Sequence, residues 1–395
     1  MARIGIYGGT FNPPHIGHIR AAECALHALM LDKLLLIPDR IAPHKQMPAG
    51  TPSPSQRLDM VRLGARMIGD DRVEVTDIEL SREGPSYTYQ TIAQLRQQYP
   101  QDTLYLLVGT DMFLSFQNWK NAERIWQDAT LAVFYRGDPF EEEQIRRHKV
   151  LMESLGAQVE LVENPVVEIS STQLRRMLVF GCADSFLPEG VGVYIRERGL
   201  YDTGEDYKNL PMERLEQVVI GLLKPNRVAH VLGCRDTAVE LAKVWGANET
   251  DAARAGLLHD ITKALDGPLQ LTLCRDYGIL LDTFSTKNPK TLHALTGSLV
   301  AKRIFGENEA VVSAIHSHTT GKANMNTLEK IIYVADYMEP NRNFPGVEEL
   351  RHLAYTDLDA ALKLGLTMTL EMLKKQGSEV SPESREALAF LNQTL

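Results

Sequence analysis

Short apolar runs alternate with amphipathic stretches over the first two hundred residues. Ile4-Gly5-Ile6-Tyr7, Lys33–Pro38, Arg72–Val75, Thr103–Val108 and Leu131–Tyr135 have the length and flanks of buried strands, whereas Ser55–Ile68 and Thr88–Tyr99 carry apolar positions at helical spacing. Strands separated by helices predict a mostly parallel sheet covered by helices, with ligands at the carboxyl ends of the strands. The pattern lapses at Tyr201-Asp202-Thr203-Gly204-Glu205-Asp206, which is small, polar and acidic. From about Pro211 helical spacing dominates, over Met212–Leu223, Ala229–Trp245, Glu249–Leu265, Ala294–Phe305, Glu309–His318, Leu328–Tyr337 and Asp357–Gln376. The expectation is an α/β domain over residues 1–203 and an all-α domain over residues 210–395. A chain of 395 residues also exceeds what one hydrophobic core usually serves, and it shows no internal repeat or low-complexity tract.

Charge and cysteine content narrow the class. The net charge of −9 divides evenly, with 21 basic and 25 acidic residues up to Tyr201 and 21 and 26 after it. Neither half has the basic excess of a general nucleic-acid binder, so no nucleic-acid partner is expected. Cys24, Cys182, Cys234 and Cys274 are scattered, without a C-x-x-C pair, and read as reduced thiols. No charged leader opens the chain, and no apolar run approaches the roughly 20 residues that span a bilayer. A soluble, cytoplasmic protein without a membrane partner is expected. Its oligomeric state is not legible, and a homo-oligomer is compatible with the sequence.

The sharpest chemical signal is Gly8-Gly9-Thr10-Phe11-Asn12-Pro13-Pro14-His15-Ile16-Gly17-His18, directly after the first apolar run. Glycines at a strand end let the backbone approach a ligand, and a helix start offers free amides and the positive end of its dipole to phosphate. His15 and His18, three residues apart, are expected to face the same phosphates. A structural turn with two surface histidines is the plainer alternative. Further along, the hydroxyls and free amides of Ser170-Ser171-Thr172, with Arg175 one turn on, form a second candidate phosphate cradle. Taken alone, Ser170–Thr172 is more often a helix cap, Trp119 more often core, and Asp111 as often a cap as a ligand.

With Pro43-His44-Lys45, Ser86-Tyr87-Thr88, Gly109-Thr110-Asp111, Trp119-Lys120 and Ile169-Ser170-Ser171-Thr172-Gln173-Leu174-Arg175 in order, essentially all of residues 1–201 resembles the bacterial nicotinate mononucleotide adenylyltransferase family. The resemblance implies a Rossmann-like nucleotidyltransferase fold. It also implies a reaction in which the phosphate of nicotinate mononucleotide attacks the α-phosphorus of ATP, releasing pyrophosphate. Positioning and cations carry such a displacement, without a protein nucleophile. His15, His18, Lys45 and Arg175 are the candidate charge-bearing groups, with Mg²⁺ on the ATP oxygens. Gly8, Gly9, Thr10 and Phe11 would supply the backbone platform, Asp111 would meet the ribose of the adenosine, and Thr88 and Trp119 would hold the pyridine ring. Pantetheine-phosphate adenylyltransferases share the H-x-G-H and Ser-Ser-Thr elements. Asn12-Pro13-Pro14, Ser86-Tyr87-Thr88 and the Trp119 region favour a pyridine nucleotide, and nicotinamide mononucleotide is the alternative acceptor.

The second half disperses His230, His259-Asp260, His293, His318 and Asp336 through apolar helical pattern. An adjacent His-Asp pair within an apolar helix is costly to bury unless a metal or hydrogen bonds compensate, although a single buried histidine is usually a satisfied core residue. The order, with His318-Thr319-Thr320-Gly321 and Ala335-Asp336-Tyr337-Met338-Glu339-Pro340, resembles the HD phosphohydrolase superfamily, and within it the bacterial hydrolases that split diadenosine tetraphosphate symmetrically into two ADP. By that resemblance His230, His259, Asp260 and Asp336 would hold one metal and His293 and His318 a second, with Asp260 between them. Iron, divalent or ferric, or manganese suits the ligands. Lys263 would clamp a phosphate oxygen, and the role of His316 is left open. A nucleotidase, another phosphohydrolase, or a non-catalytic nucleotide-sensing module are the competing readings of this domain.

Overall fold

Side chains alternate strictly between the two faces of the strands in the first half of the chain, and both sets are apolar. Ile4, Ile6, Leu35, Ile37, Leu104, Leu106, Leu131 and Val133 share one buried layer, while Leu34, Leu36, Tyr105, Leu107, Ala132 and Phe134 share the other. A sheet apolar on both faces must be covered on both, which is the condition that selects a parallel, doubly wound arrangement. The structure, a computed structural model, describes residues 1–43, 47–135, 139–164 and 169–394, in two compact units, Met1–Glu205 and Asp206–Leu395.

In the first unit β1 (Arg3–Gly9), β2 (Lys33–Pro38), β3 (Val73–Val75), β4 (Thr103–Gly109), β5 (Thr130–Tyr135) and β6 (Val159–Glu163) form one parallel sheet in the order β3-β2-β1-β4-β5-β6. Chain direction across the sheet reverses between β1 and β4. Their carboxyl ends therefore part to leave a crevice, the usual ligand position in such sheets. The helices Ile16–Ala28 and Pro54–Ala65 cover one face, and Thr88–Gln98, Ala122–Asp128 and Pro139–Ser154 the other. Gly8 and Gly9 are the last residues of β1, paired with Ile37 and Pro38, so the strand ends in glycines as expected. The strand β6 and the helices Pro139–Ser154, Ser171–Val179 and Val191–Glu197 add to what the hydropathy pattern predicted.

The second unit is helical among its described residues. Helices Val228–Trp245, Glu249–Leu258, Leu292–Arg303, Glu309–Ser317 and Thr327–Met338 form its centre, with Val347–Thr356, Leu358–Lys375 and Pro382–Thr394 following. The expected helix over 249–265 stops at Leu258. His259 to Leu265 instead run through successive i→i+3 turns, with Ile261 N on Leu258 O at 3.1 Å and Lys263 N on Asp260 O at 2.9 Å. The His-Asp pair therefore lies in the turns just after a helix, not within one, so both neighbouring side chains can aim inward. Among the described residues no helix is long and apolar enough to cross a membrane, and all four cysteines are free.

Gly256 lets the helix before the His-Asp turn approach the helix Val228–Trp245. A Cβ there would lie 2.8 Å from Arg235 Cα, 3.1 Å from Arg235 N and 3.2 Å from Cys234 O, all backbone atoms that cannot step aside. Gly256→Ala is expected to destabilise the second unit by about 1–3 kcal/mol, the usual penalty of overpacking. Chemical denaturation of the full chain checks this, and an unchanged unfolding curve contradicts it.

Candidate active sites

At the crevice between β1 and β4 a cavity of about 690 Å³ is lined by Gly8, Gly9, Thr10, Phe11, His18, Thr88, Trp119, Ser171, Thr172 and Arg175. A neighbouring cavity of about 280 Å³, sharing His18, is lined by His15 and Asp111. Most of the residues singled out in the first half thus border two adjoining hollows. Ser170 borders neither and caps the helix Ser171–Val179, its Oγ accepting from Gln173 N at 3.2 Å. Lys45, with His44, lies outside the described residues.

Phe11, with φ of 46°, turns its ring back against the platform, and a Cβ on Gly9 would lie 3.3 Å from that ring. Only glycine leaves both the backbone open and the ring in place. His15 is the residue just before the helix Ile16–Ala28, so the two imidazoles straddle the helix start with ring centroids 3.6 Å apart. The His15 amide donates to His18 Nδ1 at 3.2 Å. His18 consequently carries its proton on Nε2 when neutral, as a donor. Burial lowers His15 to about 4, so at neutral pH it acts as a hydrogen-bonding group and not as the cation expected from sequence.

A set of groups missed in the sequence braces this platform from behind. Arg57 is 1% exposed, and its guanidinium donates to the carbonyls of Thr10 (2.7 Å), Asp39 (2.7 Å) and Arg40 (3.0 Å) and to Asp39 Oδ1 (3.1 Å). Thr10 Oγ1 donates to Asp39 Oδ2 at 2.8 Å, which commits that hydroxyl to the scaffold. One planar donor thereby ties the end of β1 to the end of β2. From the other side Tyr201 donates to Asn12 Oδ1 at 2.8 Å, Ser171 Oγ to Pro13 O at 3.1 Å, and Arg175 Nη1 to Asn12 O at 2.7 Å. Arg175 therefore lines the cavity with part of its donor fork already engaged. An arginine on the apolar face of the predicted helix Ser55–Ile68, beside Leu58 and Val61, was the available signal for Arg57.

In the second unit His230, His259, Asp260, His293, His318 and Asp336 converge. They compose three overlapping groups able to hold a metal ion: His230, His259 and Asp260; His259, His318 and Asp336; and Asp260, His293 and His318. Asp260 turns one oxygen each way, Oδ2 lying 3.8 Å from His230 Nε2 and 3.7 Å from His259 Nε2, and Oδ1 lying 3.5 Å from His293 Nε2 and 3.8 Å from His318 Nε2. Asp336 Oδ1 is 3.1 Å from His230 Nε2. His316 is in none of the three groups.

The other nitrogen of every ring is occupied. His259 Nδ1 meets Gly256 O at 2.7 Å, His293 Nδ1 meets Lys290 O at 2.8 Å, His318 Nδ1 meets Ile315 O at 2.6 Å, and His230 Nδ1 meets Glu339 Oε1 at 3.1 Å. A carbonyl can only accept, so the proton sits on Nδ1 and the Nε2 lone pairs of His259, His293 and His318 point at one another and at carboxylates. Bonds of about 2.1 Å to a common ion place adjacent ligand atoms roughly 3–3.5 Å apart, close to the spacings here, so the donor set fits a metal. Burial lowers His318 to about 4 and His259 and His293 well below 6.5, keeping them neutral as ligands must be. Burial opposes charge on Asp336 as well, but its hydrogen bond with His230 and the nearby Arg342 guanidinium hold it well below the usual carboxylate range.

Lys263 reaches the same cluster. Its ammonium lies 2.8 Å from His293 Nε2 and 3.3 Å from His293 Nδ1, and burial lowers it to about 8. Thr319, unassigned in the sequence, places Oγ1 at 3.2 Å from both His293 Nε2 and His318 Nε2. Glu339, Arg227 and Arg342 likewise join the site only through the fold.

Imidazoles kept neutral by burial take up fewer protons folded than unfolded. For His15 and His318 the window runs from the ordinary 6.5 down to about 4: their contribution is complete above it and is lost as pH falls through it. Urea unfolding at pH 7 and pH 5 checks the sign. A lower midpoint at pH 5 is expected, and an equal or higher one contradicts it.

Residues 6–177 match the cytidylyltransferase-like family and residues 227–341 the HD domain family. A probable nicotinate-nucleotide adenylyltransferase of Geobacillus thermodenitrificans is 40% identical over 202 residues, which are 51% of this chain and 87% of that protein. A symmetrical bis(5'-nucleosyl)-tetraphosphatase of Halalkalibacterium halodurans is 40% identical over 180 residues, 45% of this chain and 94% of that protein. A solved Clostridium acetobutylicum chain, described as a "predicted HD superfamily hydrolase involved in NAD metabolism", superimposes with a TM-score of 0.46 at 37% identity, covering 47% of this chain and 99% of that one. The chain thus belongs to the nicotinate-nucleotide adenylyltransferases of the cytidylyltransferase-like family through its first unit, and to the HD domain family through its second.

Proposed function

We propose that the chain is a bifunctional enzyme, with an adenylyltransferase over residues 1–203 and a metal-dependent phosphohydrolase over residues 210–395. In the first reaction a phosphate oxygen of nicotinate mononucleotide bonds to the α-phosphorus of ATP while the α–β phosphoanhydride bond breaks. Deamido-NAD and pyrophosphate are the products. The observation that supports this most is the adjoining pair of hollows, one holding the platform Gly8–Phe11 with Thr88 and Trp119, the other His15 and Asp111, and both bordered by His18. ATP with Mg²⁺ would lie across the glycine platform, its adenosine toward Asp111. His18 Nε2 would donate to a phosphate oxygen, and Arg175 with the free amides of the helix Ser171–Val179 would meet the charge on the transferring group.

The acceptor end contains Thr88, Trp119 and Lys120, and Trp119 packs on Phe116 with centroids 4.7 Å apart. A packed indole is a rigid wall for a pyridine ring. The ammonium of Lys120, 4.1 Å from the centroid of Tyr87, adds a positive charge that a carboxylate uses better than an amide, which supports nicotinate over nicotinamide.

In the second reaction water attacks phosphorus in a dinucleoside tetraphosphate and the central phosphoanhydride bond breaks, giving two ADP. Support comes from the four inward Nε2 atoms with Asp260 and Asp336, and from the likeness to the Halalkalibacterium protein. Iron or manganese held there would supply Lewis-acid charge to the phosphoryl group. Asp260 faces both groups of imidazoles, Lys263 and Thr319 lie beside His293, and Glu339 orients His230.

One experiment on the full chain tests both halves. With ATP, nicotinate mononucleotide is expected to be adenylylated in preference to nicotinamide mononucleotide and phosphopantetheine. The variant His18→Ala should lose at least about 100-fold in rate while retaining its fold. With diadenosine tetraphosphate and Mn²⁺, ADP is the expected sole product, and Asp260→Asn should abolish it. Preferred transfer to phosphopantetheine overturns the first assignment. Absence of ADP from wild-type protein that has bound Mn²⁺ overturns the second.

A further inference from the structure

Two arginines press on the carboxylates of the second site. Arg227 Nη2 donates to Asp260 Oδ2, and Arg342 donates through Nη2 to Asp336 Oδ1 at 2.6 Å and through Nε to the Asp336 carbonyl at 2.8 Å. Those are the carboxylate oxygens nearest the first pair of imidazoles. Asp260 Oδ2 lies within 3.8 Å of His230 Nε2 and His259 Nε2, and Asp336 Oδ1 lies 3.1 Å and 3.8 Å from the same two atoms. A dication gripped by His230, His259, Asp260 and Asp336 therefore needs the very oxygens that the guanidiniums hold. Three positive groups a few ångströms apart, partly shielded from water, repel strongly.

Burial decides which groups give way. Asp260 is 2% exposed, while the side chains of Arg227 and Arg342 are 27% and 35% exposed and sit at the rim. The carboxylates are fixed by the fold, whereas the arginines have solvent to turn into. A guanidinium displaced there stays beside the reacting centre, and its planar donor fork suits phosphate oxygens. With Lys263 the rim offers three cations around one centre. A phosphate monoester supplies one phosphate to meet them, but an oligophosphate supplies further oxyanions on either side of the bond that breaks.

We propose that Arg227 and Arg342 are exchangeable counter-charges, neutralising Asp260 and Asp336 until a dication takes those oxygens and then gripping the flanking phosphates of an oligophosphate substrate. This rests on the metal-dependent reading of the second site. It assigns the two arginines a selective role, in favour of substrates with phosphates beyond the one attacked, and it makes them opponents of the metal and partners of the substrate.

That opposition gives a signature no bracing role would produce. Calorimetric titration of the full chain with Mn²⁺, followed by titration with inorganic tripolyphosphate at a fixed free Mn²⁺ concentration, reads both affinities without turnover. Signal remaining in a His259→Ala/Asp260→Asn double variant belongs to the first unit and is subtracted. Arg227→Gln and Arg342→Gln are each expected to bind Mn²⁺ about tenfold tighter and tripolyphosphate about tenfold more weakly, the scale of one charge-assisted hydrogen bond released or lost. Loss of both affinities together means the arginines only support the fold and overturns the proposal. Unchanged Mn²⁺ affinity, or tighter Mn²⁺ with unchanged tripolyphosphate, overturns it equally. A wild-type second site that takes up no Mn²⁺ overturns the metal reading itself, a result read on wild-type protein alone.

Discussion

Lone pairs of buried imidazoles repel one another and repel carboxylates, and the second unit brings four Nε2 atoms and two carboxylates into contact range. Arg227 and Arg342 relieve it only at the carboxylates, and Lys263 and Thr319 only at His293 and His318, which leaves the Nε2 atoms of His230 and His259 facing each other at 3.3 Å. Five helices end or begin at the cluster, and the carbonyls of Gly256, Lys290 and Ile315 hold the Nδ1 protons of three of the rings, so these cannot rotate their lone pairs away. Such an arrangement costs several kcal/mol unless positive charge enters. The surrounding design follows from that need: Gly256 lets two helices close on the site, the chain breaks from helix at His259 so that neighbouring side chains aim inward, and Glu339 orients His230 from 109 residues away.

The first unit solves a related problem with backbone instead of ligands. In the proposed reading phosphate would be met by amides at the end of β1 and at two helix starts, and such a surface is useful only if it is rigid before the ligand arrives. Arg57 and Asp39 fix its rear, while Tyr201, Ser171 and Arg175 fix the loop that follows. Both sites therefore share one device, in which the group that touches ligand is held by a second group with no freedom to relax. In the proposed reactions their shared chemistry would be attack at phosphorus next to a phosphoanhydride bond.

How much of this could be read from the chain depended on whether the signal was local. The four inner strands, β2, β1, β4 and β5, are buried on both faces and appear as plain apolar runs. The strand β6, Val159-Glu160-Leu161-Val162-Glu163, lies at the sheet edge and exposes its glutamates, so its alternation is too short to stand out. The metal-binding candidates stood out as polar residues in apolar sequence. The helix expected over 249–265 was misjudged because the hydrophobic period continues past Leu258 while the backbone tightens into turns. Arg57, Arg227 and Glu339 were missed for a different reason: Asp39, Asp260 and His230, which they meet, lie 18, 33 and 109 residues away and only the fold pairs them, while Arg342 and Thr319 sit six residues and one residue from Asp336 and His318 but form no pattern that marks them. The neutrality of His15 is likewise a consequence of burial that no spacing rule contains.

The demand for positive charge among the imidazoles is the claim on which the most depends, and diffraction from crystals of the full chain grown with Mn²⁺ tests it directly. An anomalous difference peak at the manganese edge, within bonding distance of His230, His259, Asp260 and Asp336, is the expected result. Crystals with the same side-chain arrangement and no anomalous peak among those residues would contradict the account.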